Sequence, residues 1–303
     1  MPQPRPSAAG ANFRELAATS SSLAADIAAR SSEGLGKLRA SMGKALLHRN
    51  IQRNWDLLNR GLGMAQQDPP QAFALCSESL NGFRALASED PDIGIRVGMA
   101  DSLAGMADLT PDHRAKVSMR RELVALLTEL TLENQGDPQL QFRLANSSDK
   151  LGALITGEAP ADALMLHRRA LTLWQTLVKS NDPVARRSLS SCLVRIANLT
   201  QADDPAASRR MLTDALNLRL RLRQEAPMDP ARVADVTAAT GFLNAFADSA
   251  ESRANEQTDT AQADLLRREA TAARRAVSTA STPVTSGPQR MPVPPGPPGQ
   301  HRR

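Results

Sequence analysis

Four Asp-Pro steps, at Asp90-Pro91, Asp137-Pro138, Asp182-Pro183 and Asp229-Pro230, recur at spacings of 47, 45 and 47 residues. A second series, Pro69, Pro111, Pro160 and Pro205, runs between them at 42, 49 and 45. Proline is tolerated at the first helical position, where its missing N–H would have no partner anyway. An aspartate just before it can accept from the orphan amides of the first turn. The two series therefore read as alternating helix starts. They predict ten helices in five pairs: 44–66 with 69–88, 91–108 with 111–134, 138–156 with 160–180, 183–200 with 205–226, and 230–250 with 258–277. A fixed period of this size is the signature of a solenoid, in which each unit shields its apolar face only against its neighbours.

Composition agrees. Of 303 residues 41% are hydrophobic, but only 3% are aromatic and tyrosine is absent. Alanine, leucine and arginine dominate, and all three are good helix formers. A sheet protein would use more β-branched and aromatic residues. The expected class is all-α: a superhelical array of antiparallel helix pairs, an α-solenoid with units of about 45–47 residues.

Three segments follow. Residues 1–43 form a Ser/Ala-rich, loosely ordered leader in which Phe13, Leu16, Leu23 and Ile27 fall on one helical face. That is read as a capping helix, with an export segment as the alternative. Residues 44–277 hold the repeats. Residues 278–303, rich in proline, are expected to be disordered or polyproline II. The formal net charge is +5. The surplus sits in the two flanks, whereas 44–277 carries 29 charges of each sign. A nucleic-acid binder would concentrate its excess on the folded part, so the distribution argues against nucleic acid. No apolar run reaches the length of a membrane span, and no secretory signal opens the chain. A cytoplasmic location is the expectation, with export as its alternative.

Within the third unit the second helix carries Ala163, Ala170 and Leu171 and leads to Asn181-Asp182-Pro183, and the first carries Leu151-Gly152 at its centre. Over 137–228 this resembles the tetratricopeptide repeat. Gly105 and Ala197 are expected at the same small site in the neighbouring units. The chain departs from that family in its longer unit, and in His167, where the family usually has a tyrosine. HEAT or armadillo-type packing shares the period and stays open as an alternative. The resemblance implies a concave groove lined by the first helices, in which Lys, Arg and Asn hold a partner's carboxylates.

Register arithmetic between the units selects a stripe for that groove: Arg143, Asn146 and Lys150 in the third unit, Ser191, Arg195 and Asn198 in the fourth, and Arg96, Met99 and Leu103 in the second. The expected partner is a protein or peptide with apolar residues at one end and acids at the other. Charge differences between units also allow head-to-tail self-association. No catalytic constellation stands out. The four histidines are scattered, no His/Cys/acid spacing matches a metal motif, and Gly61-Leu62-Gly63 lacks the lysine of a phosphate loop. Cys76 and Cys192, inside apolar runs, read as core thiols. The expectation is a binding scaffold or adaptor without cofactor, metal or enzymatic activity; the alternative is a secreted bacterial effector or chaperone-like carrier with an N-terminal export segment, and an RNA-binding helical repeat stands behind both.

Overall fold

A computed structural model describes residues 43–180 and 182–281. The leader, with its capping and export readings, and the proline-rich tail beyond Ser281 lie outside these residues. Every element among them is helical, and no strand occurs there. The helices are α1 (43–64), α2 (Pro69–Glu89), α3 (Ile93–Leu109), α4 (His113–Glu133), α5 (Pro138–Ile155), α6 (Pro160–Leu177, continued by a 3-10 turn over Val178–Ser180), α7 (Pro183–Thr200), α8 (Pro205–Glu225), α9 (Pro230–Glu256) and α10 (Thr260–Ser281). The chain divides into two compact units after Gln135. Gly136, between α4 and α5, has a φ of 94°, a left-handed conformation that suits glycine.

The proline punctuation acts as expected at most helix starts. Asp137 accepts from the backbone N–H of Gln139 (2.7 Å) and Leu140 (3.3 Å), Asp182 from Val184 (2.9 Å) and Asp229 from Ala231 (2.9 Å), each with proline at the first position. Asp68 and Asp204 cap α2 and α8 in the same way. The first unit departs from the pattern. In Asp90-Pro91-Asp92 the residue before proline is extended, as steric contact with the ring demands, and Asp92 takes the cap, accepting from Gly94 at 2.7 Å. Helix α3 thus begins two residues later than its Asp-Pro step. Helix α4 likewise begins after Pro111, capped by Asp112. Further on, α9 runs past the expected end at 250, because Glu251, Arg253, Ala254 and Glu256 are good helix formers and Ala254 is buried. Helix α10 extends to Ser281, four residues past its expected end at 277.

In the first unit α2 packs on α3 and α3 on α4. The core gathers Phe83, Leu86 and Ile95 with Leu47, Ile51, Trp55 and Met99. Trp55 meets Phe83 edge-on at 5.3 Å between centroids, a favoured aromatic geometry. Gly98 lets that ring lie on the α3 backbone, since a Cβ there would stand 2.5 Å from Phe83. In the second unit each helix from α5 to α10 packs on the next, and alternate helices touch as well, α5 on α7 and α8 on α10. Two overlapping clusters fill it. One centres on Trp174, set edge-on to Phe142 at 5.1 Å, and the other is an alanine-rich seam around Leu212, Leu216, Leu243 and Phe246. Burying each of these large side chains stabilises by roughly 1.5–3 kcal/mol.

Candidate functional site

Counting from the capping aspartates sets the true register of the first helices. Lys150, Arg195 and Phe242 stand at the same position of α5, α7 and α9, thirteen residues after Asp137, Asp182 and Asp229. Lys150 and Asn198 are exposed, and Asn146, Arg143, Ser191 and Arg195 are half-buried. Of these, Ser191 accepts a hydrogen bond from the Arg219 guanidinium of α8 (3.3 Å), which ties it into a helix seam. Arg195 pairs with Asp149 of α5. The α9 member of the row is an exposed aromatic: Phe242 keeps 38% of its surface, and Val233, Ala234, Ala238 and Ala245 are exposed on the same helix.

The α3 part of the stripe needs correction. Because Asp92 rather than Asp90 caps α3, the shift from α5 is 45 residues and not 47. Leu103 therefore faces inward and is 1% exposed; it cannot line a groove. Met99 is half-buried against the core, and Arg96 pairs with Glu129 and Glu133 of α4. The same slip puts Ala107 at the register of Gly152, and Ala197 is buried at the equivalent place in α7; Gly105 is nevertheless buried at a close approach of its own, where a Cβ would stand 3.0 Å from Leu62 and 3.2 Å from Cys76. The true counterparts of Asn146 and Lys150 are Asp101 and Gly105. With Trp55, Leu58 and Leu62 of α1 they line an open groove of about 520 Å3.

Beneath the α5–α7 face lies a polar network that the sequence reading did not assemble. His167 of α6 is fully buried, and its Nδ1 lies 2.7 Å from Asp149 Oδ1. The other Asp149 oxygen takes the Arg195 guanidinium. Cys192 of α7 is also fully buried and donates to the His167 carbonyl at 3.1 Å. His167 Nε2 is buried without a hydrogen-bond partner, and its ring lies on Gly152, where a Cβ would approach to 2.8 Å. Glycine at that crossing makes room for the imidazole.

The Cys192 sulfur is closed off from solvent. Burial first, and then the Asp149 carboxylate, push the Cys192 thiol above its ordinary range. The thiolate is the reactive form of cysteine, and this environment disfavours it. What the cluster does offer is a donor set, one oxygen, one nitrogen and one sulfur from three successive helices. Asp149 and His167 are separated by 18 residues and His167 and Cys192 by 25, so no linear motif announces them. The available signal was positional. Asp149 stands twelve residues past its cap, where α7 has Val194, and His167 stands eight past its cap, where α2 has Cys76 and α8 has Leu212.

No family model and no curated protein matches the chain. Among solved structures it is similar to the DHF79 filament, at 15% identity over 77% of this chain and 98% of that one, with a TM-score of 0.25. It is also similar to the de novo designed helical repeat protein DHR64, at 16% identity over 78% and 96%, with a TM-score of 0.23.

Proposed function

We propose that this protein is a non-catalytic scaffold whose second unit binds a segment of a protein partner along α5, α7 and α9, and that its repeats are of the tetratricopeptide type. The observation that supports it is the row Lys150, Arg195 and Phe242, a graded surface from basic to apolar at one register. Helix α9 carries apolar residues on its outer as well as its inner side, a pattern expected of a helix that is covered on both. The partner that fits has carboxylates towards α5 and α7 and an apolar anchor towards α9. A peptide of that kind, extended or helical, reuses a recurring mode of recognition.

The test is fluorescence anisotropy with labelled peptides that combine an acidic stretch and one or two apolar anchors, titrated with the full chain. Lys150→Glu and Phe242→Asp should each weaken binding by about tenfold, ~1.4 kcal/mol, with the far-ultraviolet dichroism unchanged. Equal affinity in all three proteins, or no binding by the wild type, would remove the proposal.

A further inference from the structure

We propose that Asp149, His167 and Cys192 form a binding site for a single thiophilic divalent cation, with Zn2+ the best match. A carboxylate oxygen, a ring nitrogen and the thiol sulfur all lie within 4.8 Å of one another. Zinc binds such ligands at about 2.0–2.3 Å in a tetrahedron, which sets the donors roughly 3.2–3.8 Å apart. Closing the triangle on the ion and opening the 2.7 Å His167–Asp149 contact takes shifts that side chains can supply. An N/O/S set is also the donor chemistry that suits zinc rather than calcium or magnesium, which prefer oxygen alone.

The fold itself does not ask for these residues. One helix pair later in the same unit, Val194 and Leu212 occupy the positions of Asp149 and His167, both buried in an apolar seam. The third member changes too, since the counterpart of Cys192 in α9 is Ala239. A shape requirement would have been met by aliphatic side chains at α5 and α6 as well. Three potential ligands brought together from α5, α6 and α7 are instead what a bound cation would need.

The surroundings support a ligated carboxylate. Arg195 holds the second oxygen of Asp149, and its side chain is 39% exposed where Asp149 is 10% exposed. The guanidinium thus fixes the orientation of the carboxylate from the solvent side, as outer partners of metal ligands do. Binding replaces the proton on Cys192: the S–H bond breaks, a metal–sulfur bond forms, and one proton leaves to solvent. The imidazole ligates in its neutral form, one ring nitrogen on the ion and the other bearing the hydrogen. Three protein ligands leave the fourth tetrahedral position to water or a small anion.

The experiment uses the full chain, stripped with a chelator and titrated with Co2+ under anaerobic conditions. Cobalt reports tetrahedral geometry through visible bands and a bound thiolate through a near-ultraviolet charge-transfer band. The expected result is saturation at about one equivalent, release of about one proton per ion, and bleaching by equimolar Zn2+. Cys192→Ala should lose the charge-transfer band while Cys76→Ala retains it, with helix content monitored by circular dichroism in both. His167→Gln should weaken binding at least tenfold. A wild-type spectrum without the thiolate band overturns the site, as does a band that persists in Cys192→Ala. Ions held at exposed histidines give no thiolate band and are thereby distinguished.

Discussion

The crossing of α5 with α6 and the crossing of α7 with α8 are built on one plan and filled with opposite chemistry. In the first, Asp149 and His167 face each other in the interior; at the same two positions of the second, Val194 and Leu212 are buried in one apolar cluster. Geometry cannot be the reason for the difference, because each first helix puts its residue twelve positions after the cap and each second helix eight. The α1–α2 crossing of the first unit shows the apolar solution again. Gly61 lies against Cys76 and the Ala72 carbonyl, as Gly152 lies against His167 and the Ala163 carbonyl. A repeat array thus offers its own control, position by position: α7 and α8 bury a polar pair of their own, Arg219 on Ser190, but at the two positions of Asp149 and His167 they are aliphatic.

Removing one side of the pair should give the largest effect. Asp149→Val leaves His167 without its Nδ1 partner in a fully buried setting. Breaking a buried pair from one side costs about 3 kcal/mol. Adding His167→Leu, which copies the α7–α8 crossing, should recover more than half of that loss. Urea unfolding of the single and double variants checks this. A double variant no more stable than the single one would mean that the α5–α6 crossing cannot accept the apolar solution.

Next in size is the crossing glycine. Gly152→Leu drives a side chain into the imidazole and the Ala163 carbonyl, already 2.8 and 3.1 Å from a bare Cβ. Overpacking of this kind destabilises by about 1–3 kcal/mol. Gly241, in the middle of α9, meets nothing within 4 Å. Gly241→Ala should therefore stabilise, by roughly 0.5–1 kcal/mol, because alanine loses less backbone freedom in a helix. Thermal unfolding should show opposite signs for the two; the same sign would break the distinction between a crossing glycine and an open one.

A smaller contrast separates two cations of the same row. Arg195→Glu removes the partner of Asp149 and sets a carboxylate beside it, a loss of about 1 kcal/mol once solvent screening of the half-exposed side chain is allowed for. Lys150→Glu, at an exposed site one unit earlier, should stay within about 0.5 kcal/mol. For the same reason, Arg195 is a poor place to test partner binding: its loss would act on the fold as well.

Helix boundaries were legible in the sequence wherever aspartate preceded proline directly at the cap, because the steric and hydrogen-bonding rules act on adjacent residues. They failed where a second aspartate followed, in Asp90-Pro91-Asp92. That two-residue slip alone turned Leu103 from a core residue into a surface one. The Asp149–His167–Cys192 cluster was not legible as a motif, since its members come from three helices and meet only through packing. Neither was the engagement of Arg96 and Arg195 by acids of neighbouring helices, which a stripe drawn on one helix cannot reveal. Phe242 was missed for a simpler reason, that the register was not carried into α9.

The weakest test concerns the outer rim of the aliphatic crossing. Arg186 of α7 grips Glu225 at the end of α8 with both terminal nitrogens, at 2.5 and 2.9 Å. The hydrogen bonds from Arg186, ahead of its charge and that of Arg232, hold the Glu225 carboxyl below its ordinary value of 4.5. The carboxylate is thus easier to keep ionised in the folded chain than in the unfolded one. Its stabilisation is complete above the ordinary value and disappears as the pH falls through the lower folded-state value. Glu225→Gln should lower the melting temperature slightly at neutral pH. The gap between variant and wild type should shrink below pH 4.5 and close once the wild-type carboxyl is protonated. Added salt should narrow it at neutral pH too, because the glutamate is open to solvent. A gap that stayed constant from neutral to acid pH would assign the effect to packing at the end of α8 and not to the charge.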